Sequence, residues 1–125
     1  LVTGVQTCAL RIFEASKRFY DAVLGALGVA PGNRDSDVRC SYRTATGVFM
    51  IKIPINGEPA THGNGSTVGF AATDTAQVDA WHAAGVANGG TVIEDPPGPR
   101  GSVYLAYLRD PAGNKICAAH RMPTK

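Results

Sequence analysis

The apolar positions of this chain fall into two helical stripes separated by short alternating runs. In residues 14–27, Phe19, Tyr20, Val23, Leu24 and Leu27 recur at spacings of three and four, which gathers them on one helix face, and Gly28 ends the pattern. In residues 75–88, Val78, Trp81, His82, Gly85 and Val86 form the matching stripe, Asp74 with Gln77 three residues on makes an N-terminal cap, and Gly89-Gly90 gives the stop. Residues 39–44, 48–53, 66–72, 91–93, 102–109 and 115–120 read as strands, with turns at 45–47 and 110–114. Phe19 to Trp81 and Gly28 to Gly90 are both 62 positions apart, about half of the 125 residues. The expectation is therefore an internal repeat, strand, helix and about three strands, written βαβββ twice. Module 1 covers about 1–56, module 2 about 66–121, and 54–65 joins them. This is an α+β fold with a mixed sheet.

Strand alternation sorts the faces. Val68, Phe70 and Ala72 are the larger apolar set and are expected to pack on the helix carrying Trp81, leaving Thr67, Gly69 and Ala71 on the opposite face. Antiparallel pairing across the Asp110-Pro111-Ala112-Gly113-Asn114 turn sets Leu108 against Ile116 and Tyr107 against Cys117. Leu108, Ile116 and Ala118 then belong to the helix side, while Tyr107 and Cys117 lie on the opposite face.

Charge and composition narrow the partners. Twelve basic and ten acidic residues are interspersed, for a formal charge of +2, with no basic run to follow a phosphate backbone, so nucleic acid is not an expected partner. No window reaches the roughly 18 to 20 apolar residues of a membrane span, and the N-terminus lacks the pattern of a signal peptide, so neither a membrane nor export is expected and the reading is cytoplasmic. Cys8, Cys40 and Cys117 are an odd number without CxxC spacing and read as free thiols. The stretch 1–12 (LVTGVQTCALRI) is atypical: the repeat puts its first strand there, yet it reads equally as a translated adapter or cloning scar, in which case the native domain is 13–121. Arg11 and Ile12, where the first helix should be capped, offer no side-chain acceptor.

The segments FEASKRFYDAVLGALGV, GNGSTVGFAATDTAQVDAWHAAGVANGG, EDPPGPRG and YLAYLRDPAGNKICAAHR together resemble the two modules of the vicinal oxygen chelate superfamily, the glyoxalase, bleomycin-resistance and extradiol dioxygenase group. The resemblance implies that the mixed sheet curls into a cup built from both modules, with the helices on the outer face, and that the cup is commonly shared between two chains, hence a homodimer. It also implies a divalent metal held by His, Gln or Glu from the first and a late strand of each module. Those positions match Val5, Thr67 and Cys117 here, and 48–55 carries no acid, His or Gln for a fourth ligand. A hydroxyl, an alkyl group and one thiol do not make the O/N shell that such ions need.

Four residues are candidates for substrate binding: Thr67, Arg100, Tyr107 and Cys117. Tyr107 can donate to a ligand oxygen or simply fill the sheet face. Cys117 is a nucleophile or soft ligand if a cation lowers its pKa, and otherwise a small buried hydrophobe. Arg100, in a loop stiffened by three prolines, can clamp a carboxylate or phosphate, or pair with Glu94 or Asp95. His62, His82 and His120 show no ligand spacing; the first two are expected in solvent and the third on the helix side. No catalytic residue is assigned. The favoured reading is a small-molecule-binding protein of this superfamily without cofactor or the usual metal. The alternative is a lyase, isomerase or dioxygenase using Zn, Ni, Mn or Fe, lactoylglutathione-lyase-like or dioxygenase-like, and a third reading is a degenerate module that pairs with another chain.

Overall fold

The computed structural model describes residues 4–123, with side chains from residue 8 onward. Its elements run α1 (Gly4–Ala26), β1 (Asn33–Ser36), β2 (Arg39–Arg43), β3 (Val48–Lys52), β4 (Val68–Ala71), α2 (Thr75–Ala87), β5 (Thr91–Val92), β6 (Gly98–Arg100), β7 (Val103–Arg109) and β8 (Lys115–Arg121). The mixed α+β class, the two helices and most strands stand where the alternation of residues puts them.

The principal correction is at the start. A strand was expected before the first helix, but the chain is helical from Gly4, so Val5 lies on α1 and its side chain falls outside the described residues. Between Gly4 and the apolar stripe there is no proline or further glycine, and Gln, Ala, Leu and Arg are good helix formers. Adding turns to a packed helix avoids the cost of nucleation, so α1 extends backward through Arg11 and Ile12. The missing cap at those positions follows, because they are helix interior.

Both helices end alike. Val29 N–H donates to the Leu24 carbonyl at 3.0 Å past Gly28 at φ 86°, and Gly90 N–H donates to the Gly85 carbonyl at 2.8 Å past Gly89 at φ 97°. This is the six-to-one closure around a left-handed glycine. The equivalent glycines are thus Gly28 and Gly89, one residue away from the spacing of 62 read through Gly90. At the other end of α2, Gln77 N–H donates to Asp74 Oδ1 at 2.8 Å, and Gln77 Oε1 accepts from Thr73 N–H at 2.7 Å, so the expected cap is present.

Without a leading strand in module 1, the expected continuous sheet is two sheets. One has the order β1-β2-β3; the other runs β4-β8-β7-β5, with β6 also paired to β7. β4 lies parallel to β8 and the remaining pairs are antiparallel. One helical layer serves both sheets: Phe19, Tyr20, Val23 and Leu24 of α1 and Val78 and Trp81 of α2 share a buried core with Cys40, Tyr42, Leu108, Ile116 and Ala118. A Cβ on Gly85 would stand 2.3 Å from Leu108 Cδ1 and 3.1 Å from Val23 Cγ1, so glycine there is what lets α2 approach this core. Aromatic contacts carry the core from one sheet to the other, Tyr20 to Phe49 at 4.8 Å and Phe49 to Phe70 at 5.2 Å between ring centroids.

One buried polar contact ties the halves together. Tyr20 Oη donates to Asp110 Oδ2 at 2.6 Å across 90 residues of sequence, and Asp110 also accepts from the N–H groups of Ala112 and Asn114. Asp110→Ala leaves the Tyr20 hydroxyl and these turn donors without their acceptor, and is expected to lower unfolding free energy by about 3 kcal/mol. Urea denaturation followed by circular dichroism measures this, and a loss within about 0.5 kcal/mol of zero, the range of an ordinary surface change, would show that the contact is dispensable.

Candidate functional site

The sheet faces away from α1 and α2 form the candidate site; the pairing of β7 with β8 follows the parity read from the sequence, whereas Val68, expected to pack on α2, lies at the outer edge of β4 and is 48% exposed. Leu108, Ile116 and Ala118 are buried on the helix side, with Phe70 packed against them. The pairs Tyr107 with Cys117 and Leu108 with Ile116 are present. Gly69 pairs with Cys117 on its other side, and a Cβ on Gly69 would meet Cys117 Sγ at 3.3 Å. Gly69, Cys117 and Tyr107 thus form a row across β4, β8 and β7. Thr67 is exposed just before β4, and the register carried back one residue sets it beside Lys115.

Tyr107 is half-buried, with two cations near its ring. Lys115 Nζ lies 4.7 Å from the ring centroid and Arg100 Cζ 5.4 Å. The electron-rich ring face attracts both. Among the described residues the Tyr107 hydroxyl makes no hydrogen bond, so it can donate to a ligand. Arg100 is held by main-chain groups: Nη1 donates to the Leu105 carbonyl at 2.8 Å and Nη2 to the Asp95 carbonyl at 3.0 Å. It pairs with neither acid side chain suggested by the sequence, and part of its donor fork is already committed to bracing β6 against β7.

Glu94 forms an ion pair with Lys115, a partner that reasoning from the loop alone missed. Lys115 shares strand parity with Cys117, and that was the available signal. Glu94 sits at φ 59°, the single non-glycine residue with positive φ among those described. Such backbone carries a cost of order 1 kcal/mol, and here it aims a carboxylate at the Lys115 ammonium.

A metal centre of the expected kind does not fit these residues. Thr67 brings a hydroxyl, and burial pushes the Cys117 thiol up, with Lys115 opposing that shift and Glu94 reinforcing it. A thiol held protonated is a poor ligand and a poor nucleophile. No group of three or more His, Cys, Asp or Glu residues comes together among the described residues. His120 Nδ1 is 3.1 Å from the Ala72 carbonyl. His82 departs from expectation: its Nε2 is buried without a partner, and burial lowers its pKa.

Two cavities flank the gap between β3 and β4. One of about 530 Å³ is lined by residues including Tyr20, Phe49, Ile51, Lys52, Val68 and Lys115, and one of about 460 Å³ by Tyr42, Val48, Phe49, Val68, Gly69 and Ala71 among others. Thr67, Arg100, Tyr107 and Cys117 line neither. They lie on the adjoining open face, with Lys115 at the border.

Comparison with known proteins accords with this architecture. The family model of the Glyoxalase/Bleomycin resistance protein/Dioxygenase superfamily matches residues 11–118. The chain is similar to the crystal structure of a glyoxalase/bleomycin resistance protein from Albidiferax ferrireducens T118, at 62% identity and TM-score 0.85 over 87% of this chain and 90% of that one. A lactoylglutathione lyase from Agrobacterium tumefaciens matches at 25% identity and TM-score 0.58, over 86% of this chain and 84% of that one. A glyoxalase-related enzyme from Fulvimarina pelagi shares the fold at 21% identity and TM-score 0.68, over 86% and 78% of the two chains. No curated protein matches the chain. No helix among the described residues is long and apolar enough to cross a membrane.

The thiols provide a direct check on the electrostatics. Cys8 is exposed, whereas Cys40 and Cys117 are buried. Because its pKa is raised, Cys117 holds less thiolate at pH 8 than a free cysteine, and its alkylation accelerates only at higher pH. Iodoacetamide at pH 8 with peptide mass mapping should modify Cys8 at least tenfold faster than Cys117, whereas equal rates at that pH would mean an activated thiol.

Proposed function

The chain belongs to the glyoxalase/bleomycin resistance protein/dioxygenase superfamily, and from that premise we propose that it binds a small molecule carrying a carboxylate or phosphate on the helix-free face of its sheets, without a family-type metal chelate. The supporting observation is Tyr107 flanked by Lys115 and Arg100. Cations beside an aromatic ring with an uncommitted hydroxyl provide an apolar surface, a donor and positive charge within a few ångströms. Glu94 currently neutralises Lys115. An anionic ligand would take over that role, since a carboxylate or phosphate gains charge-assisted hydrogen bonds from the same ammonium. Thr67 offers a hydroxyl beside Lys115, the free donors of Arg100 can orient the anion, and Cys117 supplies a neutral floor. In this reading the protein acts as a homodimer, each chain contributing an open face.

Among the described residues the metal-dependent lyase, isomerase or dioxygenase reading finds too few donors, and a thiol with raised pKa plus a hydroxyl does not replace them.

A thermal-shift screen of small carboxylates and phosphates, followed by calorimetry on the hits, tests the proposal. Lys115→Met is expected to weaken a hit by about tenfold, or ~1.4 kcal/mol, and Tyr107→Phe by a smaller factor, while Glu94→Gln tightens anion binding by removing the competing carboxylate. Calorimetric titration of the protein with zinc, nickel or manganese should show no stoichiometric binding. Hits indifferent to all three substitutions, or tight binding of one of these metals, would overturn the reading.

A further inference from the structure

Beside Tyr107 the open face presents two opposite charges in contact. Lys115 Nζ lies 4.7 Å from the Tyr107 ring centroid and forms an ion pair with Glu94. Both side chains reach solvent, with 29% exposure for Lys115 and 43% for Glu94. Both also act on one neighbour, since Lys115 lowers and Glu94 raises the pKa of the Cys117 thiol. A ligand arriving at the ring therefore meets a positive and a negative end side by side.

Folding stability does not account for this pair. An exposed ion pair contributes little once side-chain ordering and solvent screening are counted. Glu94 is held at φ 59°, and left-handed backbone at a non-glycine residue costs about as much as such a pair returns. The loop nevertheless keeps the carboxylate where it is. Arg100 Nη2 donates to the Asp95 carbonyl at 3.0 Å and to the Pro96 carbonyl at 3.5 Å, while its Nη1 donates to the Leu105 carbonyl at 2.8 Å. The residues just after Glu94 are thus tied to the pairing of β6 with β7, and Pro96 and Pro97 stiffen them further.

This arrangement discriminates between ligands by charge pattern. A simple anion that claims Lys115 leaves the Glu94 carboxylate unpaired beside the incoming negative charge, and such like-charge juxtaposition is unfavourable. A simple cation that claims Glu94 leaves Lys115 in the converse position. In an α-amino acid the ammonium and carboxylate stand about as far apart as the charges of a contact ion pair, so the two pairs fit head to tail. The ligand carboxylate then meets Lys115 and the free donors of Arg100, and its ammonium meets Glu94.

We propose that this site selects small zwitterions with an ammonium next to a carboxylate, as in a free α-amino acid, and that Glu94 sets the preference. The proposal rests on the reading that Tyr107, Lys115 and Arg100 hold an anionic group. Glu94, a competitor of plain anions, becomes a partner of the zwitterion.

Three probes share one skeleton: L-phenylalanine has both charges, phenylpropionate the carboxylate alone and phenethylamine the ammonium alone. Titrated into the full chain near neutral pH and followed by the amide resonances of Tyr107 and Lys115, L-phenylalanine should bind at least about two- to fivefold more tightly than either relative, the scale of one exposed ion pair. Glu94→Gln should weaken L-phenylalanine by a similar factor and tighten phenylpropionate. Those opposite signs separate a ligand partner from a residue that merely supports the fold, which would move both affinities together. Lys115→Met should weaken both. The inference fails if L-phenylalanine binds no more tightly than phenylpropionate, or if Glu94→Gln shifts the two in the same direction. Phenylpropionate binding that still depends on Lys115 would then leave the anion reading standing. Binding of none of the three also overturns the inference, whereas the anion reading falls only with the wider screen of carboxylates and phosphates.

Discussion

The hydrogen bond from the Tyr20 hydroxyl to the Asp110 carboxylate is the constraint on which the rest of the structure depends. It is buried, and it ties the first helix to the turn between the last two strands. The same carboxylate accepts from the Ala112 and Asn114 N–H groups and from Asn114 Nδ2, so it both joins the halves of the repeat and shapes the turn. Burial, with the negative charge of Asp110, raises the Tyr20 pKa, so the phenol remains a donor wherever the carboxylate is ionised. The turn in turn sets the pairing of β7 with β8, and that pairing alone decides that Tyr107, Cys117 and Lys115 share a face. A one-residue slip would send them into the core and bring Leu108 and Ile116 out to solvent.

This explains why much of the site was legible in the sequence. The positions of Tyr107, Cys117, Gly69 and Leu108 follow from strand parity and one turn, both of which are local properties. The cap at Asp74 and the glycine stops were legible for the same reason, since each depends on the residues within one helical turn. What escaped was non-local or lacked a side-chain signature. Arg100 was read against nearby acids, yet its partners are main-chain carbonyls brought near by the short β6, which a Pro-rich loop did not announce. Glu94 reaches Lys115 only because its backbone adopts a left-handed conformation that no sequence pattern demanded.

The first strand was misread for a different physical reason. A repeat argument transfers structure from one half of the chain to the other, but residues 4–12 follow their own propensities. Once the stripe from Phe13 to Leu24 is packed, continuing the helix backward adds one hydrogen bond per residue, whereas forming a strand requires closing a new loop and pairing at a distance. With Gln6, Ala9, Leu10 and Arg11 favouring helix and no proline in the stretch, the local choice prevails.

Two features that look unrelated then share one origin. The resemblance puts half of the metal shell on module 1, one ligand on its leading strand, and the structure has helix there. The repeat also puts that strand between β3 and β4, where the structure has two open edges and two cavities. A strand seated in the gap would place alternate side chains on the open face between Met50 and Gly69, adjoining the row that ends at Tyr107. Whatever occupies the seat therefore supplies part of the wall for any ligand held there. In the arrangement the repeat implies, the same few residues of extended chain would govern both the chemistry of the open face and the continuity of the sheet.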